Sequence, residues 1–273
     1  MVITAALTGA VPMPDRFPTV PVTPASIVAD AIKCAVAGAT VVHLHVRAED
    51  ATPIHRRDLY ESVYAGIRAQ RPELIQCTTT SSRVGGGLAT RLTGLEVEAE
   101  LRPEMATLTL GSFNFPTTTS VNPPQEIMAL AERMAELDVR PEFEIFDLGM
   151  VDVLGLLSDR GLLPAHPVVN LFVGNPGSLG PYLEDVAAAI NRLPDGCEWA
   201  LAGIGKYQRS VIALAALLGG NARTGLEDNP RGDHDGWGNA DAVAQVVEAA
   251  TFARRAVASA CETRERFGVR TAP

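Results

Sequence analysis

The chain has no apolar run approaching the ~20 residues that a membrane-crossing helix needs. Its four cysteines, Cys34, Cys77, Cys197 and Cys261, fall in no CxxC or CxxH spacing. The first absence reads against a membrane span, the second against a cysteine-built metal or redox motif. Basic charge is short as well. Lys and Arg number 23 against 32 Asp and Glu, a formal charge of −9 at pH 7. With no basic patch to offset it, nucleic acid and anionic membranes are poor partners. The N-terminus opens on a strand without the basic start and cleavage site of a signal peptide. No Gly-x-Gly-x-x-Gly turn follows that strand; Thr8-Gly9-Ala10-Val11-Pro12 stands there instead. Cys34 and Cys77 lie in periodic apolar segments, as reduced core thiols do. The expectation is a soluble, cytoplasmic protein acting on small molecules.

What is present is a regular alternation, in a chain of 273 residues that is 47% hydrophobic. Strand-like runs fall at residues 2–7, 41–47, 74–79, 105–110, 143–147, 168–173, 199–204 and 222–227. Amphipathic stretches separate them. Thr23-Pro24 reads as a helix N-cap with proline in the first turn, and Gly38 as that helix's end. Leu59, Val63 and Ile67 stripe the next helix. A short one is expected around residues 95–101, a capping box at Asn122-Pro123-Pro124-Gln125, and a last helix from about Asn239 to Arg255. Eight βα units predict an α/β chain folded as one (β/α)8 TIM barrel, a single catalytic domain over residues 1–273. An open doubly wound sheet would want the glycine-rich turn that is missing.

In such a barrel the chemistry sits where the strands end. Val41-Val42-His43-Leu44-His45-Val46-Arg47 places two histidines one residue apart, so both imidazoles face the same side of a buried strand. Buried imidazoles need partners. Either each is hydrogen-bonded in the core or the pair holds a metal. At the eighth run Arg223, Gly225 and Glu227 share a face. A carboxylate there could join His43 and His45 as the third ligand of an open site suited to Zn²⁺, or to Fe²⁺ or another divalent ion. Glu144, alternating with Phe143 and Ile145, faces inward, as a carboxylate supporting the site or as a catalytic base. Thr79 and Ser82 after the third run, and Ser112 and Asn114 after the fourth, are candidates for substrate contact. Arg47 and Arg223 are the cations best placed for a substrate carboxylate. The glycine-rich turns at residues 174–180 and 203–206 could each hold a phosphate. His55, His166 and His234 read as solvated.

The blocks Val42-His43-Leu44-His45-Val46-Arg47, Gly111-Ser112-Phe113-Asn114-Phe115, Arg140-Pro141-Glu142-Phe143-Glu144-Ile145-Phe146-Asp147, Gly203-Ile204-Gly205 and Arg223-Thr224-Gly225-Leu226-Glu227-Asp228-Asn229 stand in this order. In them the chain resembles the β-keto acid cleavage enzymes, typified by the 3-keto-5-aminohexanoate cleavage enzyme. The resemblance implies a zinc-dependent TIM barrel, a homo-oligomer, that condenses a β-keto acid with acetyl-CoA to give acetoacetate and a new CoA thioester. It implies zinc on His43, His45 and Glu227, a catalytic pair in Arg223 and Asp228, and a substrate-contacting hydroxyl at or near Thr79.

Two departures bear on the substrate. Many relatives carry Glu after Thr-Gly-Ala, where it can pair with a substrate amine; here Val11 stands there. A glycine pair often follows the third strand's threonines, and here it is Ser81-Ser82. The expected substrate therefore has no distal amino group. The competing reading is a metal-dependent aldolase or hydrolase of the same fold that uses no CoA. A non-enzymatic binder of that fold is the further contrast.

Overall fold

In a computed structural model, which describes residues 1–11 and 13–270, each of the eight predicted runs contributes a strand to one closed, all-parallel barrel. Pro12 of the first connection and residues 271–273 of the predicted domain lie outside the described residues. The strands are β1 (Ile3–Ala6), β2 (Val41–Leu44), β3 (Ile75–Thr78), β4 (Met105–Thr109), β5 (Arg140–Ile145), β6 (Val168–Val173), β7 (Glu198–Gly203) and β8 (Asn221–Thr224). Each pairs with its sequence neighbours, and β8 closes on β1 with Ala222 opposite Ile3 and Arg223 opposite Thr4. The helices are α1 (Pro24–Ala37), α2 (Arg57–Gln70), α3 (Gly87–Arg91), α4 (Pro124–Glu136), α5 (Leu148–Asp159), α6 (Leu183–Arg192), α7 (Gln208–Leu218), α8 (Asn239–Phe252) and α9 (Ala260–Phe267). Thr23 caps α1 as predicted, its side chain accepting from the Ser26 N–H.

Alternation along the strands sorts the side chains. Leu44, Leu108, Phe143, Leu171 and Leu201 join the main core that the helices cover. The other parity fills the barrel. At its floor Val41, Ile75, Met105 and Val168 form an apolar layer with Ala258, Phe267 and Val269. Above that floor the interior turns polar, with Cys77, Glu142, Asn170 and Arg223 all buried. The C-terminal segment seals the apolar end. Ala258 N–H donates to Met1 O at 2.8 Å, Thr263 Oγ1 to Thr40 Oγ1 at 2.9 Å, and Arg140 Nε to Phe267 O at 2.7 Å.

The structure corrects several details. The histidine strand ends at Leu44, because Val46–Arg47 peels away to pair antiparallel with Pro53–Ile54. The third helix lies at Gly87–Arg91 rather than at residues 95–101. In the latter segment backbone carbonyls are met by side chains instead of by a helix: Arg102 Nε donates to Leu95 O at 3.2 Å and Arg68 Nη1 to Glu100 O. Asn122 does not cap α4; its amide donates to Gly111 O at 2.9 Å and Pro123 takes the cap position. β5 begins earlier than expected, at Arg140, and Asp147 leaves it to cap α5. α9 was not anticipated, although Ser259 and Glu262 form its capping box.

Phe267, 2% exposed in the floor layer, tests how far this seal stabilises the barrel. Phe267→Ala is expected to cost about 3–5 kcal/mol, read as a lower urea midpoint at unchanged slope, with activity per folded molecule retained.

Candidate active site

A cavity of about 330 Å³ opens at the C-terminal end of the barrel. His43 stands on β2 and His45 just past it. Glu227 comes from beyond β8, and two glycines decide its place. Gly225, at φ +138°, lets the chain turn so tightly that a Cβ there would lie 2.2 Å from Ala6 O. Glu227 N–H then donates to that same oxygen at 3.2 Å. Gly9, at φ +64°, lies so near that a Cβ would sit 2.6 Å from Glu227 Cγ. The result is convergence. His43 Nε2 lies 3.4 Å from Glu227 Oε2, and His45 Nε2 lies 3.3 Å from Oε1.

The electrostatics of this trio fit a cation. Burial pushes His43 down to about 4, so its imidazole is a neutral lone-pair donor. Burial would raise Glu227, but His45, His43 and Arg223 outweigh it and hold the carboxyl well below its ordinary value. Glu227 Oε2 is buried without a hydrogen-bond partner. Two imidazoles and one ionised carboxylate, with donor atoms within 4.8 Å of one another, make a donor set for a divalent ion with further positions facing the cavity. His43, Cys77 and Glu142 form a second such group. Burial drives the Cys77 thiol well up, and it donates to Glu142 Oε2 at 3.6 Å. Both Cys77 and Glu142 lie below the residues that line the cavity.

Arg223 organises the anions. Its Nε donates to Asp228 Oδ2 at 2.9 Å and Nη2 reaches Oδ1 at 3.4 Å. Nη2 also lies 3.2 Å from Glu227 Oε1, and Nη1 lies 3.8 Å from Glu144 Oε1. Burial opposes its charge, but Asp228, Glu227 and Glu144 more than compensate and hold the guanidinium ionised. Asp228 is shifted upward by burial even against Arg223. Glu144 Oε2 accepts from Thr109 Oγ1 at 2.6 Å. Below them burial raises Glu142 to about 7.

Residues 1–269 match the family model described as the beta-keto acid cleavage enzyme. The chain belongs to the β-keto acid cleavage enzyme family. It is 35% identical over 274 residues to the 3-oxoadipate:acetyl-CoA acetyltransferase of Cupriavidus necator, covering 98% of this chain and 94% of that one. To the 3-keto-5-aminohexanoate cleavage enzyme of Fusobacterium nucleatum it is 33% identical over 270 residues, covering 97% and 96%. Among solved structures the apo form of ObcA superposes with a TM-score of 0.78 at 21% identity. That alignment covers 92% of this chain and 66% of ObcA, and it bears on the fold alone.

In this family member His43, His45, Thr79, Glu144, Arg223, Glu227 and Asp228 all line one cavity. The other candidates stand around it. Arg47 donates to Gly9 O at 2.7 Å, Thr8 O at 3.3 Å and Ala51 O at 2.9 Å, so backbone carbonyls occupy its guanidinium. Ser82 Oγ accepts from Val121 N–H, Ser112 Oγ from Asn122 N–H, and Asn114 Oδ1 from Thr119 Oγ1. They pin loops of the rim. His55 is buried rather than solvated, bonded to Tyr60 Oη and Ser81 O. The turn at residues 203–206 is engaged within the protein: Gly205 N–H donates to Asp228 O at 2.7 Å. Three site residues went unread. Glu142 shares the parity of Glu144, and Thr109 ends β4 facing inward, so both were open to the alternation argument. Arg83 also lines the cavity, but it sits in a loop where no periodicity sets direction.

Removing Arg223 would leave Asp228 buried without its counter-charge. Arg223→Met is expected to lower stability by about 3–5 kcal/mol, and pairing it with Asp228→Leu should restore part of that loss in urea unfolding.

Proposed function

We propose that this family member is a zinc-dependent transferase that condenses a β-keto acid lacking a distal amino group with acetyl-CoA, yielding acetoacetate and a new acyl-CoA. What carries the reading is the convergence of His43, His45 and Glu227 with the Arg223–Asp228 pair in one cavity. The names of the two relatives, which join 3-oxoadipate to acetyl-CoA and describe cleavage of a keto acid, support it.

Zinc held by His43, His45 and Glu227 would polarise the keto oxygen and ease loss of the neighbouring proton. Asp228, oriented by Arg223, takes that proton from the carbon between the two carbonyls. The carbanion attacks the thioester carbonyl of acetyl-CoA and the C–S bond breaks. The freed thiolate adds to the former keto carbon. The bond between that carbon and the original α-carbon then breaks, releasing the new thioester and acetoacetate, which regains its proton. Arg223 stabilises negative charge throughout, and the Thr109–Glu144 bond holds a carboxylate beside its free Nη1. Thr79 supplies a hydroxyl on the cavity wall. We assign Arg47, Ser82, Ser112 and Asn114 to shaping the rim. No cysteine among the described residues lines the cavity, and the thiolate transfer needs none. At the mouth Val11 offers nothing to an amine. The family resemblance also implies a cytoplasmic homo-oligomer.

The test is acetoacetate formation from a panel of β-keto acids with acetyl-CoA, alongside metal analysis. Turnover should require acetyl-CoA, vanish on chelation and return with zinc. Asp228→Asn should lower kcat by about 10²–10⁴. Keto-acid cleavage that proceeds without acetyl-CoA would favour the aldolase reading, and a His43→Ala enzyme that keeps both metal and turnover would overturn the assigned site.

A further inference from the structure

Among the described residues that line the cavity, Arg83 is the arginine that this chemistry leaves unused. It follows β3 within a single 3-10 turn, Ser82–Val84, and the turn is fixed on both sides. Ser81 Oγ accepts from Arg83 N–H at 3.3 Å and from its Nε at 3.4 Å. Ser82 Oγ accepts from Val121 N–H at 3.1 Å, tying the turn to the end of the short antiparallel ribbon that follows β4, Phe113–Asn114 paired with Thr119–Ser120. The guanidinium lies over the Phe115 ring, 4.5 Å from its centroid, and faces the cavity. Among the described residues no carboxylate comes within ion-pair distance of it, whereas Arg223 is held by Asp228 and Glu227. Burial pulls its pKa down, and Glu227, Glu144 and Asp228 act on it only through space.

A half-buried guanidinium laid over an aromatic ring at the cavity wall is a ready partner for an entering anion. Its fork suits a carboxylate. Position bears on which one. The triad stands on the arc from β2 through β1 to β8. Arg83 follows β3, beside the histidine strand, but its guanidinium lies over Phe115, in the segment after β4, the strand across the ring from β8. An anion held there meets the Phe115 side of the cavity.

We propose that Arg83 docks a carboxylate at the far end of the keto acid, so that the preferred substrate is a β-keto dicarboxylate. This rests on the acyl-transfer reading above and makes it narrower. It also gives the absence of an acid at Val11 a counterpart: position 11 carries no anion for an amine, and position 83 carries a cation for an acid.

The test compares 3-oxoadipate with 3-oxohexanoate, which matches it in length and lacks the far carboxylate. Wild-type kcat/KM should favour the dicarboxylate. In Arg83→Met the ratio of the two kcat/KM values should fall about 10- to 100-fold, with Arg83→Lys in between. Adipate should raise the melting temperature of the wild type more than hexanoate does, and that difference should disappear in Arg83→Met. Parallel losses on both substrates would assign Arg83 to the carboxylate nearer the metal, and a rise confined to the KM for acetyl-CoA would assign it to the coenzyme. Either result overturns the proposal, as does a wild-type preference for 3-oxohexanoate. If neither acid yields acetoacetate, the acyl-transfer reading fails, while protection by adipate still decides the docking claim.

Discussion

The buried guanidinium of Arg223 is the interaction on which the rest depends. It sits among four carboxyl groups, those of Asp228, Glu227, Glu144 and Glu142, bonding Asp228 through two nitrogens and reaching Glu227 at 3.2 Å. A lone charge at that depth would be ruinous, and so would uncompensated acids. Together they form a network that holds Glu227 against the histidines and Asp228 in one orientation. Phe172 lies under the guanidinium, 4.9 Å from its carbon, which adds a favourable face at little cost in flexibility.

That network changes how the barrel is built. Barrels of this class commonly fill their interior with layers of branched aliphatics. Here only the floor is aliphatic, and Cys77, Glu142 and Asn170 occupy the middle. Apolar burial is concentrated on the outward face, under the helices, and at the floor, which the C-terminal segment covers. Chemistry and stability are thus divided between the two ends of the same strands.

A similar division separates the polar residues of the rim. Arg47 and Ser112 were conspicuous as polar groups near strand ends and Asn122 as a helix cap, yet each is spent on the backbone of a neighbouring loop. A loop over a barrel mouth carries many unpaired carbonyl and amide groups, and these side chains satisfy them. Arg83 differs: among the described residues Ser81 Oγ is the one hydrogen-bond partner of its guanidinium, and it lines the cavity.

The eight strands were legible because β-branched, apolar runs recur at the βα period, and the inward face of Glu144 followed from simple alternation. His43 and His45 were legible for the same reason, and the blocks around them carried the family resemblance. The pairing of those histidines with Glu227, 184 positions away from His43 (227 − 43), was only an inference from strand count. What the sequence by itself determined is local: period, parity and punctuation, each set by neighbours within a turn or two. Only the tertiary structure decided that Gly9 and Gly225 press Glu227 toward β2, that α9 seals the floor, and that Arg47 is spent on backbone carbonyls while Arg83 meets no carboxylate among the described residues. Those outcomes depend on which backbone atoms come to lie within hydrogen-bond reach, and closure of the barrel sets that, not any pattern along the chain.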